Sequence, residues 1–146
     1  MQIYLADLAH TYSTKNESLM IPLNIGYLKA YAVKQHGESV NIKLFKDPSK
    51  LLKALSEKTP DLIGLSNYGW NADLNLKIGK YAKKKFPNIT FISGGPNIDD
   101  ETSNRVNFLK ENDYIDYYLT DGGEEPFSEI ITWLKNSKKT EIPKNI

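Results

Sequence analysis

Ile89-Thr90-Phe91-Ile92-Ser93 runs directly into Gly94-Gly95-Pro96-Asn97, so an apolar strand-like segment ends at two adjacent glycines and a proline. The same order returns later in the chain, where Ile115 to Leu119 is followed by Gly122-Gly123-Glu124-Glu125-Pro126. A short apolar run, a glycine turn and then a helical pattern form the repeating unit of a parallel sheet. These two stretches therefore predict an α/β fold.

Three further apolar segments follow the same plan, at about the thirty-residue spacing of strand–helix units. The predicted strands are Gln2 to Ala6, Val40 to Phe45, Leu62 to Ser66, Ile89 to Ser93 and Ile115 to Leu119. Most are apolar on both faces, as buried parallel strands are. With right-handed crossovers, these units predict a three-layer α/β sandwich. Its five-stranded parallel sheet would have the order 2-1-3-4-5 with helices on both faces, as in flavodoxin-like and Rossmann-like folds.

Five amphipathic segments supply the helices. The first begins near Pro22 and ends at Gly37, the second begins at Asp47-Pro48, and the third ends before Pro87. The fourth follows an acidic start at residues 99–101, and the fifth begins at residue 126. The residues predicted to face inward are Ile25, Leu28, Ala32, Leu51, Leu52, Leu55, Leu74, Ile78, Ala82, Thr102, Val106, Leu109, Ile130, Ile131 and Leu134.

Length and composition indicate one domain. The chain has 146 residues, 40% of them hydrophobic, which is enough for a single core. We expect this domain to span residues 1–135, and the polar, lysine-rich stretch 136–146 to be a tail or a linker to a missing domain. No segment approaches the roughly twenty apolar residues of a membrane span, and the amino terminus lacks a signal-peptide pattern. We therefore expect a cytoplasmic protein with no membrane partner.

Charge and cysteine content exclude several functions. The 19 basic and 18 acidic residues nearly cancel, so nucleic acid is not an expected partner. The chain has no cysteine, which excludes disulfides, thiolate zinc sites, a cysteine nucleophile and an iron–sulfur cluster held by this chain. Neither histidine, His10 or His36, has a placed nucleophile, so no catalytic triad is predicted. His10 follows Asp7 and could be a carboxylate-oriented metal ligand, although a loop histidine is commonly just solvated.

The unusual residues of the chain fall at the carboxyl ends of the strands, where sheets of this type bind ligands. A long polar stretch, residues 7–19, follows the first strand. Ser66-Asn67-Tyr68-Gly69-Trp70-Asn71 follows the third, and its rings can stack on a flat ligand or simply pack against a helix. Gly94-Gly95 and Gly122-Gly123 allow backbone amides at helix starts to approach a phosphate or nucleotide, although tight turns also favour glycine.

Other phosphate and nucleotide chemistries lack their residues. A phosphate-accepting receiver pocket needs an acidic pair after the first strand, an aspartate after the third and a lysine after the fifth. This chain has Asp7, Ser66 and Thr120 at those places. The fingerprints G-x-G-x-x-G and G-x-x-x-x-G-K-[ST] are absent after the first strand. The sequence therefore predicts a module that holds a ligand and has no evident catalytic set.

The order of these motifs resembles the cobalamin-binding domain that precedes the radical S-adenosylmethionine barrel in many bacterial and archaeal enzymes. Ile21-Pro22-Leu23-Asn24-Ile25-Gly26-Tyr27-Leu28 is similar to the family's start of the first helix. Pro60-Asp61-Leu62-Ile63-Gly64-Leu65-Ser66 is similar to its third strand. Gly94-Gly95-Pro96 and Gly122-Gly123-Glu124-Glu125-Pro126-Phe127 are similar to the turns that end its fourth and fifth strands. The resemblance covers residues 3–134.

This resemblance implies a domain that holds the nucleotide tail of cobalamin and orients its cobalt for methyl transfer. The cofactor-binding residues it implies are Ser66, Asn67, Tyr68, Gly69, Trp70, Gly94, Gly95, Pro96, Gly122, Gly123 and Glu124. The iron–sulfur cluster and S-adenosylmethionine would belong to a missing partner domain, the radical S-adenosylmethionine barrel. We expect no catalytic residue in this chain alone.

One departure from the wider family concerns the cobalt. Cobalamin mutases and methionine synthase carry D-x-H-x-x-G after the first strand, and its histidine binds cobalt. Asp7-Leu8-Ala9-His10 has the wrong spacing, and no glycine follows at the required place. Many radical-enzyme relatives also lack that histidine, so we expect no metal ligand and argue against His10 in that role. Two alternatives remain open. One is a cofactor-free interaction module with Tyr68 and Trp70 packed and the groove closed; the other is a flavin- or nucleotide-binding domain whose ring these two residues sandwich.

Overall fold

In the computed structural model, the chain forms a five-stranded parallel sheet of order β2-β1-β3-β4-β5 with helices on both faces. The predicted fold class is thereby confirmed. The structure describes residues 1–10, 21–120, 122–137, 141–144 and 146. Most of the polar stretch predicted after the first strand, and parts of the polar tail, lie outside these residues. In the described part of the chain, no helix is long and apolar enough to cross a membrane.

The elements alternate regularly along the chain. The strands are β1 Gln2–Ala6, β2 Asn41–Phe45, β3 Leu62–Ser66, β4 Thr90–Gly94 and β5 Tyr117–Leu119. The helices are α1 Leu23–His36, α2 Pro48–Glu57, α3 Ala72–Lys85, α4 Thr102–Glu111 and α5 Glu124–Lys135. A short 3-10 helix, Gly37–Ser39, follows α1. β5 begins later than predicted because the N–H of Ile115 closes a turn onto the carbonyl of Asn112.

Alternation along the strands decides which side chains meet which helices. Tyr4 and Phe91 are fully buried on the face that α2, α3 and α4 cover. Ile3, Leu5 and Ile92 lie on the other face, beneath α1 and α5, which pack against each other. Burying each large apolar side chain contributes about 1.5–3 kcal/mol, so both faces stabilise the sheet.

Two aspartates connect the sheet at the amino ends of its strands. Asp61 Oδ2 accepts a hydrogen bond from Gln2 N at 2.6 Å, and Asp116 Oδ2 accepts one from Phe91 N at 2.8 Å. Lys83 Nζ also donates to Asp116, at 2.5 Å. Asp61 belongs to the motif of the third strand, yet it lies at the end of the sheet opposite the predicted ligand site.

Three predictions about inward-facing helical residues are wrong, those for Leu52, Thr102 and Val106. In α2, Leu52 is exposed and Ala54 takes the inward position. In α4, Thr102 and Val106 are exposed, whereas Phe108 and Leu109 pack against the core. The Phe108 ring contacts the ring of Tyr118 in β5 edge to face, with 5.8 Å between the ring centroids. This apolar contact is larger than one a valine can make, and it sets the orientation of α4.

Candidate functional site

A cavity of about 430 Å³ opens at the carboxyl ends of the strands, between the sheet and the α1–α5 pair. Its volume lies within the roughly 300–1,000 Å³ of small-molecule sites. In the sheet, β2 lies on one side of β1, and β3, β4 and β5 follow in order on the other side. Parallel sheets bind ligands at the point where the strand order changes direction in this way, here between β1 and β3. The residues that line it are Leu5, Asn24, Ile25, Tyr27, Leu28, Gly64, Leu65, Ser66, Tyr68, Ile92, Ser93, Gly94, Gly95, Pro96, Leu119, Thr120, Gly122, Gly123 and Glu124.

Most of the residues predicted from the sequence lie in this wall. They are Ser66, Tyr68, Gly94, Gly95, Pro96, Gly122, Gly123 and Glu124. Asn67, Gly69 and Trp70 lie in the same loop as Ser66 and Tyr68 but are not part of the wall. The three chain segments singled out in the sequence, after β3, β4 and β5, are thus brought together around one cavity.

The floor of the cavity is a row of three residues across neighbouring strands. Leu5 of β1 pairs with Gly64 of β3, which pairs with Ile92 of β4. A Cβ on Gly64 would lie 2.6 Å from Leu5 Cδ2 and 3.4 Å from Ile92 Cγ1. The two aliphatic side chains therefore lie over Gly64, and any side chain at this position would displace Leu5.

The next row nearer the opening contains Ser66, Gly94 and Leu119, again paired across β3, β4 and β5. A Cβ on Gly94 would meet Leu119 Cβ at 3.4 Å, so a longer side chain would extend into the cavity. A Cβ on Gly123 would lie 3.2 Å from Leu28 Cδ2 and narrow the gap between α1 and the start of α5. At Gly94 and Gly123, the absence of a side chain keeps the cavity open.

Gly95 and Gly122 are required by the backbone itself. Their φ angles are +131° and +58°, in the region that favours glycine. A Cβ on Gly95 would also lie 2.5 Å from the carbonyl oxygen of Asn67. Moreover, α4 begins only at Thr102, so the Gly94-Gly95 pair is not at a helix start as the sequence interpretation assumed. Of the four glycines in the two pairs, only Gly123 lies at a helix start, as the N-cap of α5.

The two aromatic residues of the loop after β3 stack on each other. The rings of Tyr68 and Trp70 are 4.3 Å apart and nearly parallel, at 8°. Trp70 is 65% exposed, whereas Tyr68 lines the cavity. No ligand ring fits between rings at this separation, so the sandwich expected of a flavin-binding site is not formed here.

A buried carboxylate joins the carboxyl ends of three strands. Asp7, just after β1, accepts hydrogen bonds from Ser66 Oγ at 2.6 Å and from Lys46 Nζ at 2.7 Å. Asn71 Nδ2 donates to it more weakly at 3.4 Å. Asn71 Oδ1 in turn accepts the Tyr68 N–H at 2.9 Å. This network, made of Asp7, Lys46, Ser66 and Asn71, fixes the aromatic loop, and sequence reasoning missed it because Lys46 is one lysine among many.

Asn67 connects the loop after β3 to the turn after β4. It is buried, and its Nδ2 donates to Asn97 O at 2.9 Å and to Tyr118 Oη at 3.1 Å. Tyr118 Oη donates to Gly95 O at 2.8 Å. Burial raises the pKa of Tyr118, and the hydrogen bond from Asn67 acts in the opposite direction. Asn67 therefore supports the turn from behind and is not part of the cavity wall.

The histidines lie apart from the cavity wall. His10 is exposed, and the described residues contain no group of three or more histidine, cysteine or acidic side chains that could hold a metal ion. His36 Nε2 lies 3.0 Å from Ser128 Oγ, so this side chain connects α1 to α5. Its position agrees with a structural role.

The sequence interpretation missed the apolar part of the wall. Leu5, Ile25, Leu28, Ile92 and Leu119 look like ordinary core residues in the sequence, yet all five line the cavity. A signal was available in the alternation of strands, because residues two apart share a face. Counting back two positions from each predicted strand-end residue identifies the floor.

The model of the B12 binding domain family matches residues 10–131 of this chain. The chain belongs to the B12-binding domain family. The family resemblance found in the motifs is thereby confirmed. The cavity at the strand ends is accordingly the candidate cobalamin site of a B12-binding domain.

Two relatives align with most of the B12-binding domain. The cobalamin-dependent radical SAM methyltransferase TokK of Streptomyces tokunonensis is 31% identical over 121 residues, 80% of this chain and 17% of the relative. A 2-(S-pantetheinyl)-carbapenam-3-carboxylate methyltransferase of Streptantibioticus cattleyicolor is 27% identical over 116 residues, 76% of this chain and 16% of the relative. The chain thus spans less than a fifth of the length of these relatives.

Solved structures share the fold of this B12-binding domain. The isolated REC domain of RcsB from Salmonella enterica serovar Typhimurium superposes with a TM-score of 0.67 and 17% identity, over 99% of this chain and 94% of that one. At this identity the likeness concerns the fold alone. In this chain, the carboxylate after β1 is already paired with Lys46 and Ser66.

Proposed function

We propose that this B12-binding domain holds cobalamin by its nucleotide tail, with the tail base in the cavity between α1, α5 and the sheet. The observation that carries the proposal is the cavity itself, about 430 Å³ in volume and floored by Leu5, Gly64 and Ile92. This space suits an aromatic base with part of its sugar. A corrin ring with its amide side chains is much larger, so the corrin would lie outside.

The wall of the cavity supports the proposal chemically. Ile25, Leu28 and Leu119 complete an aliphatic lining around the floor, which suits the flat faces of an aromatic base. A Cβ at Gly94 or Gly123 would intrude on this space or its entrance. The glycines singled out in the sequence thus acquire a role in admitting the base.

The entrance offers polar groups for the rest of the tail. Gly123 is the N-cap of α5, and the backbone N–H groups of Gly123, Glu124 and Glu125 at this helix start can donate to a phosphate. Glu124 lines the same side of the cavity, where its carboxylate can accept hydrogen bonds from sugar hydroxyls. We assign the phosphate to the Gly122-Gly123 turn and the sugar to the entrance.

The exposed face of the Tyr68–Trp70 pair supplies an apolar surface beside the entrance. Trp70 is 65% exposed, an unusual exposure for so large a ring. We propose that this face contacts the corrin, and that the network of Asp7, Lys46, Ser66 and Asn71 keeps the loop in place. When bound, cobalamin supplies a cobalt that can carry a methyl group, and the residues of this chain hold and orient it.

No described residue is proposed as a cobalt ligand. The cobalt-binding histidine of the wider family follows β1, but the residues directly after β1 in this chain are Asp7, Leu8 and Ala9. Leu8 is fully buried in the core. His10 has the wrong spacing for the cobalt-binding motif and lies on the surface. We propose that His10 does not bind cobalt and that none of the described residues does.

For the whole protein we propose a cobalamin-dependent radical S-adenosylmethionine methyltransferase. The two relatives named above carry methyltransferase names, and the chain covers 17% and 16% of them. Since this chain has no cysteine, the iron–sulfur cluster and S-adenosylmethionine would be held by another domain. We further propose that residues 1–135 form the cobalamin domain and residues 136–146 connect it to that partner.

Titration with hydroxocobalamin, followed in the visible spectrum, tests the proposal. We expect saturable one-to-one binding with a spectral shift, because a base held in the cavity cannot also coordinate cobalt. Cobinamide, which has the corrin but lacks the base, is the matched ligand and should bind at least tenfold more weakly, as measured for both ligands by equilibrium dialysis. Absence of saturable cobalamin binding would refute the proposal, and equal affinity for cobinamide would refute the role of the tail.

The alternatives weighed from the sequence have less support. A cofactor-free module was expected to have a closed groove, whereas the cavity is open. A flavin site was expected to sandwich the ring between Tyr68 and Trp70, which stack on each other instead. An absence of yellow colour in the purified protein would agree with this.

A further inference from the structure

The deep part of the cavity consists of hydrocarbon. Leu5, Ile25, Ile92 and Leu119 line it, and each of these side chains is less than 10% exposed. The remaining floor position is Gly64, which contributes no side chain. A base that enters to this depth leaves water and meets almost only aliphatic carbon.

The two serine hydroxyls nearest the deep part already donate to protein acceptors. Ser66 Oγ donates to Asp7 at 2.6 Å, and Ser93 Oγ donates to Leu65 O at 3.1 Å. The backbones of β3 and β4 pair with each other along this stretch. Asn24 Oδ1, at the α1 side, accepts the Ile25 N–H at 2.8 Å. Among the described residues, the deep wall therefore offers few hydrogen-bond partners to a polar base edge.

We infer that this cavity selects among cobamides by the polarity of their tail base, an inference that rests on the proposed function. A benzimidazole or phenol-type base exposes mainly carbon at its far edge, which the aliphatic wall accommodates. Adenine carries an exocyclic amine and additional ring nitrogens, which would lose water without gaining partners. The chain should therefore prefer cobamides with an apolar aromatic base over adenine-containing cobamides.

The expected discrimination is moderate. Apolar pockets reject a ligand of similar shape that adds a polar group by about 10- to 100-fold. We therefore expect the dissociation constant of adeninylcobamide to exceed that of cobalamin by about this factor. Cresolylcobamide has a base that is apolar but monocyclic. It should bind within about tenfold of cobalamin, because the aliphatic wall discriminates by the polarity of the base and not by its number of rings.

The test compares the dissociation constants of these cobamides, all with the same corrin and upper ligand, by equilibrium dialysis, with cobinamide as the tail-free control. If cobalamin binds tightly and adeninylcobamide binds equally well, the inference is overturned while the proposed function stands. If cresolylcobamide binds as weakly as adeninylcobamide, shape selects the base and the inference is also overturned. If cobalamin and cobinamide bind alike, or neither binds, the proposed function fails as well.

A variant supplies the converse test. Leu28 lies on α1 and is only partly buried, so Leu28→Gln preserves the helix and places an amide in the wall. We expect this change to reduce the preference for cobalamin over adeninylcobamide at least threefold, with an unchanged circular dichroism spectrum. The control is Val33→Gln, which places the same amide on the same helix at a side chain that is 42% exposed and does not line the cavity, and it should leave the preference unchanged. An unchanged preference in folded Leu28→Gln would contradict the inference.

Discussion

Ser66 Oγ donates a 2.6 Å hydrogen bond to Asp7 Oδ1, and this bond joins the carboxyl ends of β3 and β1 beside the cavity. Lys46, after β2, holds the other oxygen of the same carboxylate at 2.7 Å. Three strand ends are therefore connected through one buried side chain. Because Asn71 links this carboxylate to the Tyr68 N–H, the position of the aromatic loop depends on the same network.

Asp7→Ala should lower the free energy of unfolding by about 3 kcal/mol, since it leaves the largely buried Lys46 ammonium without its partner. Urea denaturation measures this loss. Glu57→Gln is the matched control, because it breaks an exposed pair with Lys53 and should cost less than about 0.5 kcal/mol. Similar losses in the two variants would show that the Asp7 network does not stabilise the strand ends.

Gly94→Val should abolish cobalamin binding while the protein stays folded, because the valine side chain would extend into the cavity beside Leu119. The measurement is the visible-spectrum titration, with a thermal melt to verify folding. Gly26→Ala is the control, since a Cβ there meets nothing within 4 Å. It should leave binding unchanged and stabilise α1 by about 0.5–1 kcal/mol. Unaltered affinity in folded Gly94→Val would contradict the proposed position of the tail.

Gly95→Ala should destabilise the protein by about 1–3 kcal/mol with or without cobalamin, because its φ of +131° and the nearby carbonyl of Asn67 both disfavour a side chain. Gly69→Ala provides the comparison: it lies in the preceding loop, where a Cβ meets nothing within 4 Å. Chemical denaturation of both apo-proteins distinguishes them. Equal stability would mean that the turn tolerates a side chain.

Alkaline pH should destabilise the fold partly through Tyr118. Burial raises its pKa in the folded state above the value of about 10 in the unfolded chain, so the folded state holds the phenolic proton more tightly. This contribution is fully present below about pH 10 and is lost as the pH rises from there through the folded pKa. Stability from urea melts should therefore fall above about pH 10.

Tyr118→Phe tests this assignment. At pH 7 the variant should lose about 1 kcal/mol, because Gly95 O loses its hydroxyl donor. Above about pH 10, its stability should fall less steeply than that of the wild type. Some slope should remain, since burial also raises the pKa of Tyr114. Parallel pH profiles of the two proteins would exclude Tyr118 as a source of the alkaline loss.

The fold could be predicted from local patterns, whereas much of the site could not. Apolar strands and proline or glycine boundaries repeat along the chain, so the order of β and α elements is visible in the sequence. The pairing of Lys46 with Asp7 depends on which strand ends become neighbours, and no local pattern encodes it. The orientation of α4 likewise follows from the contact of Phe108 with β5.

The glycines illustrate the same limit. The sequence presents Gly94-Gly95 as one pair, yet the two glycines have different roles. Gly94 leaves space in the cavity because it has no side chain, whereas Gly95 adopts a φ angle that favours glycine. Gly64, which forms the floor, was visible only as part of a family motif. A sequence shows that a side chain is absent, but only the neighbouring strands show what its absence makes room for.

Electron paramagnetic resonance of bound cob(II)alamin tests most directly the claim that the tail base occupies the cavity and that no histidine replaces it on cobalt. A nitrogen ligand on cobalt splits each cobalt line into three, whereas cobalt without one shows no such splitting. We predict that the splitting seen for free cob(II)alamin at neutral pH disappears on binding and is equally absent in His10→Ala. Retention of the nitrogen splitting in the bound state would contradict the account.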